Sequence, residues 1–439
     1  MDQRTRTKLE RLINTILWIV LIVFIGMATQ HWYESNYVPV VFSQPEDHAA
    51  PLFKVKERVE QEDTTWVREH FAAPVAAQGE APEGWTDVEA DLDPATCGVC
   101  HPQQLTDWSQ SWHAIGMGPG VMGQIVDESD KFLGQCQSCH APNAEQYPRL
   151  DGEDNPHYDA ELQTKGLTCA GCHVREWERL GPDGHPAMTE VEEGSNEEPL
   201  ANPHGGATAR PEFDQSIFCE HCHDFRPGQL GLEDKLLQET YQEWRKTSFA
   251  EEGTTCQGCH MPEGRHLWKG IHDPEMVRAG FTATAKLNRD GTGFLEPLEA
   301  QVTITNTGTG HRFPTYTTPT VAIVFEQLDA NGTPIEGTRQ EGYVSRRVTP
   351  DLQKELWDTR LLPGEEFTMV YRAELHESAQ SLDARVEVWP DDGYTRFYEI
   401  KLKKPENHPE GKEQLEEALK RSIESRYVAW QSEVPVNRG

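Results

Sequence analysis

The sequence predicts three parts in series: an N-terminal membrane-spanning helix, a mostly α and irregular cysteine-bearing domain, and a small β-sandwich followed by a C-terminal helix. Three observations carry this. An apolar run lies near the N-terminus, ten cysteines fall in five copies of one short motif between residues 97 and 260, and period-two alternation sets in at about residue 281. The 439 residues give room for several domains. Asp and Glu total 73 against 40 Lys and Arg, a net charge of −33, which argues against a nucleic-acid partner. Twelve Trp, eleven Tyr and fifteen Phe argue against wholesale disorder.

The first element is Leu12–Ala28, apolar except for Asn14 and Thr15 and long enough to span a bilayer as a helix. Arg4, Arg6, Lys8 and Arg11 precede it against Asp2 and Glu10, so that end is expected in the cytoplasm and the rest outside. A cleaved secretory signal is the competing reading. However, Gly26-Met27-Ala28-Thr29 is a poor cleavage site, and His31-Trp32-Tyr33 supplies interfacial aromatics. The expected location is therefore the bacterial inner membrane, crossed once, with the cysteine-bearing domain in the periplasm. Residues 1–30 form the cytoplasmic tip and anchor, and residues 31–93 a linker rich in Pro, Glu and Ala.

Residues 94–280 hold every cysteine; within them Glu233–Phe249 reads as a helix, with Leu237, Tyr241 and Trp244 at helical spacing. Residues 281–404 read as the β-sandwich. Val302 and Ile304 alternate with Thr303 and Thr305, and Thr320–Leu328, Phe367–Leu375, Ala384–Val388 and Arg396–Leu402 are strand-like. Asp329-Ala330-Asn331-Gly332 marks a turn between strands. In residues 405–439, Glu413–Trp430 reads as an amphipathic helix with Leu415, Leu419, Ile423, Tyr427 and Trp430 on one side.

The five motifs are Cys97-Gly98-Val99-Cys100-His101, Cys136-Gln137-Ser138-Cys139-His140, Cys169-Ala170-Gly171-Cys172-His173, Cys219-Glu220-His221-Cys222-His223 and Cys256-Gln257-Gly258-Cys259-His260. C-x-x-C-H is the attachment signature of c-type haem. The two thiols reach the two vinyl groups of one porphyrin, and the histidine lies under the iron as its proximal ligand. Paired zinc sites have no need of His at one offset five times. A disulfide framework would not hold every spacing to two. The expected cofactors are five covalently bound haems. So short a stretch of chain packs them closely enough for electrons to pass between them.

Eighteen histidines, five of them in motifs, leave thirteen to serve as sixth ligands. That surplus favours bis-His, low-spin iron, which carries electrons without an open position. The candidates are His113, on an expected helix after the first motif, His204 in Asn202-Pro203-His204, His185 in Gly184-His185-Pro186, and one of His266 and His272, with His272 favoured. His311 is the fifth, in Asn306-Thr307-Gly308-Thr309-Gly310-His311-Arg312-Phe313-Pro314, where the glycines permit close approach and Phe313 is expected against a porphyrin. His48, His70, His157, His376 and His408 read as surface or packing residues, and Met117, Met122 and Met188 as fallback ligands.

The cysteine-bearing half resembles the multihaem c-type cytochromes typified by the tetrahaem electron acceptor of hydroxylamine oxidoreductase. The resemblance runs through Trp108-x-x-Ser111-x-His113-Ala114, through Cys169 to Arg175 followed by Gly181-Pro182, and through Tyr241-x-Glu243-Trp244 leading into Cys256 to Pro262. Gly308 to Pro314 is similar to a loop of members with an added β-domain. The resemblance implies stacked haem pairs, mostly bis-His ligation and electron transfer. Five motifs stand here where the tetrahaem proteins have four, and the anchor and β-domain lie outside that core. The expected function is a membrane-anchored periplasmic electron carrier serving other redox proteins, such as a basic soluble cytochrome or a membrane oxidoreductase complex. The alternatives are a pentahaem reductase of a nitrogen or sulfur oxyanion, although no C-x-x-C-K is present, or a wiring and anchoring subunit of a larger complex.

Overall fold

The structure is a computed structural model. It describes residues 65–126, 130–182, 206–225, 231–232, 235–293, 296–349, 352, 354–403 and 409–436. The chain separates into Met1–Val55 and Lys56–Gly439, and every described residue belongs to the second unit. Leu12–Ala28 lies outside the described residues. Among the described ones, no helix is long and apolar enough to cross a membrane.

The cysteine-bearing half is a run of short helices: α1 (Thr65–His70), α2 (Pro94–Cys97), α3 (Pro102–Ser109), α4 (Pro119–Ile125), α5 (Asp130–His140), α6 (Ala160–Thr164), α7 (Cys169–His173), α8 (Ile217–His223), α9 (Thr240–Trp244), α10 (Ser248–Glu251), α11 (Cys256–His260) and α12 (Pro274–Gly280). Proline opens α2, α3, α4 and α12, where its missing N–H costs nothing. Apolar packing here is confined to small clusters, such as Val67 with Phe71, Ile217 and Tyr241, and Leu92 with Leu162, Ala170 and Val174. The segment read as a linker folds onto this domain from Thr65. Val67, Phe71 and Val75 are buried, and Val75 N–H donates to the Pro142 carbonyl at 2.7 Å.

Phe281 opens an antiparallel β-sandwich. Its strands are β1 (Phe281–Asp290), β2 (Leu298–Asn306), β3 (Thr320–Leu328), β4 (Gln340–Val348), β5 (Glu355–Asp358), β6 (Glu366–Ala373), β7 (Ser381–Trp389) and β8 (Tyr427–Pro435). One sheet has the order β5-β4-β3-β7-β8 and the other β6-β2-β1. Val321, Ile323 and Phe325 of β3 meet Val302 and Ile304 of β2 in the main core. Alternate residues of β2 face inward, as the period of two requires. Two further helices, α13 (Asp392–Leu402) and α14 (Pro409–Glu424), pack on each other and on α4.

The structure changes four expectations. Glu233–Phe249 is not one helix: Thr247 is extended and its hydroxyl takes the Trp244 carbonyl, which ends α9 before α10 begins. Arg396–Leu402 belongs to helix α13, because its apolar residues Phe397 and Tyr398 pack against α14 instead of alternating. The C-terminal helix stops at Glu424. Tyr427 and Trp430 lie in β8, which completes the larger sheet through Val386↔Trp430 pairing, so residues 427–435 belong to the sandwich. Phe313 is buried against Phe281 in the sandwich core, 5.5 Å between ring centres, so its ring packs among the strands.

Candidate haem-binding sites

The spacing of each motif becomes geometry through a single helical turn. In α5, α7, α8 and α11 the histidine is the last helical residue. Cysteines at i and i+3 and the histidine at i+4 therefore share one face. Thr255 caps α11 through its hydroxyl, which accepts from Gly258 N–H, and Asp93 caps α2 by accepting from Ala95 N–H.

The motifs converge. The Cys97 thiol meets that of Cys169, Cys139 meets Cys222, and Cys219 meets Cys256. Cys172 lies within electrostatic range of both Cys219 and Cys222. The third motif thus sits between the first and fourth, and the fourth is flanked by the second and fifth. Cys100 and Cys259 are exposed, while the other eight cysteines are half-buried.

Three pairs of imidazoles face each other. His113 and His223 have ring centres 6.4 Å apart, His173 and His266 6.1 Å, and His260 and His311 6.3 Å. Two imidazoles bound to one metal at about 2 Å each hold their ring centres roughly 6 Å apart. Each pair joins one motif histidine to one outside the motifs, so the residues fit a bis-His iron.

Hydrogen bonding selects the ring nitrogen. A carbonyl only accepts, so a ring nitrogen facing one must carry the proton. The Nδ1–H of His140 donates to Gly116 O at 2.6 Å, that of His173 to Leu180 O at 2.7 Å, that of His260 to Lys269 O at 2.6 Å, and that of His311 to Arg312 O at 2.9 Å. His266 Nδ1 likewise faces Gly264 O at 3.1 Å. Nε2 is then unprotonated, the form that ligates. His70 and His272 do the reverse: their Nε2 atoms face Cys172 O and Asp391 Oδ2, each at 2.9 Å. Burial lowers His113 to about 3 and His173, His223 and His311 to about 4, so all four are neutral at ordinary pH. These rings lie deep in the protein yet retain accessible surface, as side chains lining an interior cleft do.

His311 is held from both domains. Glu243 of α9 accepts Arg312 N–H at 3.2 Å and Arg360 Nη1–H at 3.1 Å. Asn306 Nδ2 donates to the His311 carbonyl at 3.0 Å, and Thr247 Oγ1 to that of Gly310 at 3.2 Å. A side chain at Gly308 would strike the Ala279 carbonyl, and one at Gly310 would crowd Trp244 and Phe249.

Other expected ligands stand differently. His113 lies in the turn beyond α3, not on a helix, because Ser111 Oγ donates to the Trp108 carbonyl where α3 ends. His272 packs against Trp112, with ring centres 3.7 Å apart, and its Nε2 faces Asp391 Oδ2 at 2.9 Å, while His266 takes the place opposite His173. Asp107 fixes that segment by accepting from Arg265 twice, at 2.6 Å, and from His266 N–H at 3.2 Å. His185, His204, Met188, His48 and His408 lie outside the described residues. His70 is a packing residue, buried against Trp66 and Phe213. The Nδ1-accepting carbonyls and Trp268, which packs edge-on to His113, carried no signal in the sequence, since any residue offers a carbonyl.

No family model and no curated protein matches the chain. Among solved structures, the chain is similar to a penta-heme cytochrome c552 from Thermochromatium tepidum, at 20% identity and a TM-score of 0.55, over 79% of this chain and 99% of that one. The chain has the fold of a multihaem cytochrome c. The likeness covers the greater part of the chain, and the five motifs supply the attachment residues such a fold requires.

Proposed function

We propose that this chain is a pentahaem c-type cytochrome that transfers electrons between redox partners. The observation that carries the reading is the set of three facing imidazole pairs, each built on a C-x-x-C-H motif. His101, His140, His173, His223 and His260 serve as proximal ligands, with His113, His266 and His311 opposite the fourth, third and fifth. Bound haem iron supplies a one-electron couple, and two imidazoles close it to substrate. The chain's own residues hold the ligating rings neutral and, through the carbonyls that accept Nδ1–H, turn Nε2 of His140, His173, His260 and His311 towards the iron. The thiol contacts order the carriers as first, third, fourth and fifth, with the second branching from the fourth. Cys100 and Cys259, exposed at the two ends of that order, mark where electrons enter and leave. Leu12–Ala28 anchors the protein in the inner membrane, with the cytochrome in the periplasm, and a surface carrying a large negative charge receives basic partners.

Intact mass after denaturation tests the assignment. It should exceed that of the 49.7 kDa polypeptide by five haems; a gain of fewer than four overturns the reading. Fractionation of cells expressing the full chain tests the anchor: extraction by salt alone, without detergent, would rule it out.

A further inference from the structure

The two exposed attachment cysteines sit in unlike surroundings. Cys100 follows α2, and Val99 beside it is 69% exposed, an apolar side chain left almost bare. Ala95 of α2 is exposed as well, and α3 continues the surface with the uncharged Gln103, Gln104 and Thr106. Asp107, the carboxylate of α3, is buried and taken up by Arg265. A side chain at Gly98 would strike Leu105 of α3, so the two helices pack closely and present this surface as one piece.

Carboxylates rim it. The chain reaches α2 through a turn held by its own acids. Glu89 accepts from Thr86 N–H at 2.8 Å, and Asp91 accepts from Asp93 N–H at 2.9 Å and from Thr96 Oγ1–H at 2.7 Å. Asp87 and Asp91 are exposed. The cations that approach are already engaged. Lys165 pairs with Asp93, and the Arg179 guanidinium lies over Trp85 and Trp177 and donates to the Glu89 carbonyl at 2.8 Å. Residues 80–104 hold six carboxylates and no lysine or arginine. The equally long stretch 245–269 around Cys259 holds three carboxylates and four cations.

We propose that the surface of Ala95, Val99 and Cys100, rimmed by Asp87, Glu89 and Asp91, is where a basic redox protein docks, one whose cofactor edge is ringed by lysines, in preference to the Cys259 end. This rests on the electron-carrier reading and adds the place and the charge of one partner. The uncharged centre can be desolvated without stranding a charge, while the carboxylates at the rim steer the approach. A porphyrin joined to Cys100 brings its attachment edge to this surface. One electron then passes: a ferrous haem of this chain becomes ferric and the partner's ferric centre becomes ferrous.

The full-length reduced holoprotein, mixed with mitochondrial cytochrome c as the basic probe, tests this. Carbodiimide cross-linking with mass mapping should join cytochrome c lysines to carboxylates of residues 80–93; links confined to Glu251, Glu252 and Glu263 overturn the proposal. In stopped flow at low salt, Asp87→Lys should slow transfer about fourfold, the effect of two unit charges at roughly 10 Å in water. Glu251→Lys, the same change of charge near Cys259, should leave the rate in place. Val99→Asp should slow transfer even though it adds an attracting charge, because it puts that charge into the contact. Equal slowing by the two lysine variants, or faster transfer in Val99→Asp, overturns the proposal. If Val99→Asp does not gain five haems by mass, the cross-links and the lysine variants decide. Benzoquinone, a small neutral acceptor, tests the carrier reading separately: a wild-type protein that cannot reduce it overturns that reading and the docking site with it.

Discussion

The imidazole of His260, at the end of a motif helix, and that of His311, on a loop of the β-sandwich, face each other 6.3 Å apart and only 12° from parallel. The sandwich thereby places an imidazole opposite a motif histidine of the domain that holds the cysteines.

His311→Ala should convert one low-spin haem to high-spin or to a replacement ligand and raise one midpoint potential, because the imidazole that favours ferric iron is lost. Electron paramagnetic resonance with redox potentiometry would read both. A mutant that keeps every low-spin signal would reduce His311 to a turn residue.

His266 and His272 should part ways. His266→Ala should cost one bis-His signal, whereas His272→Ala should leave the haem spectrum in place, since its Nε2 faces Asp391. Paired absorption and magnetic-circular-dichroism spectra would separate them; the opposite outcome would restore the reading that favours His272.

Asp358 links pH to the same interface. Burial pushes its carboxyl up, but the Arg360 Nε and Nη2 bonds, at 2.9 and 2.8 Å, hold it below the usual 3.8. A depressed folded pKa adds stability above the ordinary value and loses it as pH falls through the folded one. Asp358→Asn should therefore cost about 1.5–3 kcal/mol at neutral pH, and the gap from wild type should close below pH 3.8. Denaturant titrations across that range check it; a gap independent of pH would contradict it.

Ile323, at the centre of β3 and 0% exposed, should cost about 2–5 kcal/mol on truncation to Ala. Thermal unfolding should then register the loss together with the His311-dependent haem signal. Independent transitions for the two would contradict their coupling through the metal.

Association with a basic redox partner should slow as salt rises, because a net charge of −33 steers encounter only over the Debye length, about 30 Å at 0.01 M and 10 Å at 0.1 M. Stopped-flow electron transfer over that range measures it; a flat salt profile would argue against steering.

The motifs were legible because covalent attachment fixes their spacing in one turn. Strand β3 was legible because Thr320–Leu328 is a long, punctuated β-branched run. His311 stood out through its glycines, whose need for close approach is written in residue type. The choice of His266 over His272 was not legible, since it depends on Asp107 reaching across 159 residues and on which nitrogen meets a carbonyl. Tyr427 and Trp430 fit a helical stripe equally well, and only pairing with β7 makes them strand.

The three imidazole pairs differ in twist: 12° for His260 and His311, 37° for His173 and His266, and 61° for His113 and His223. Parallel ring planes lift the degeneracy of the two iron d orbitals that overlap the imidazole π-systems, and crossed planes restore it. Each pair should accordingly give its iron a different magnetic anisotropy, from rhombic at the fifth motif towards axial at the fourth. Those three carriers would then be labelled by their own ligands, and a single redox titration followed at several field positions would attach three of the potentials to named residues without altering the protein.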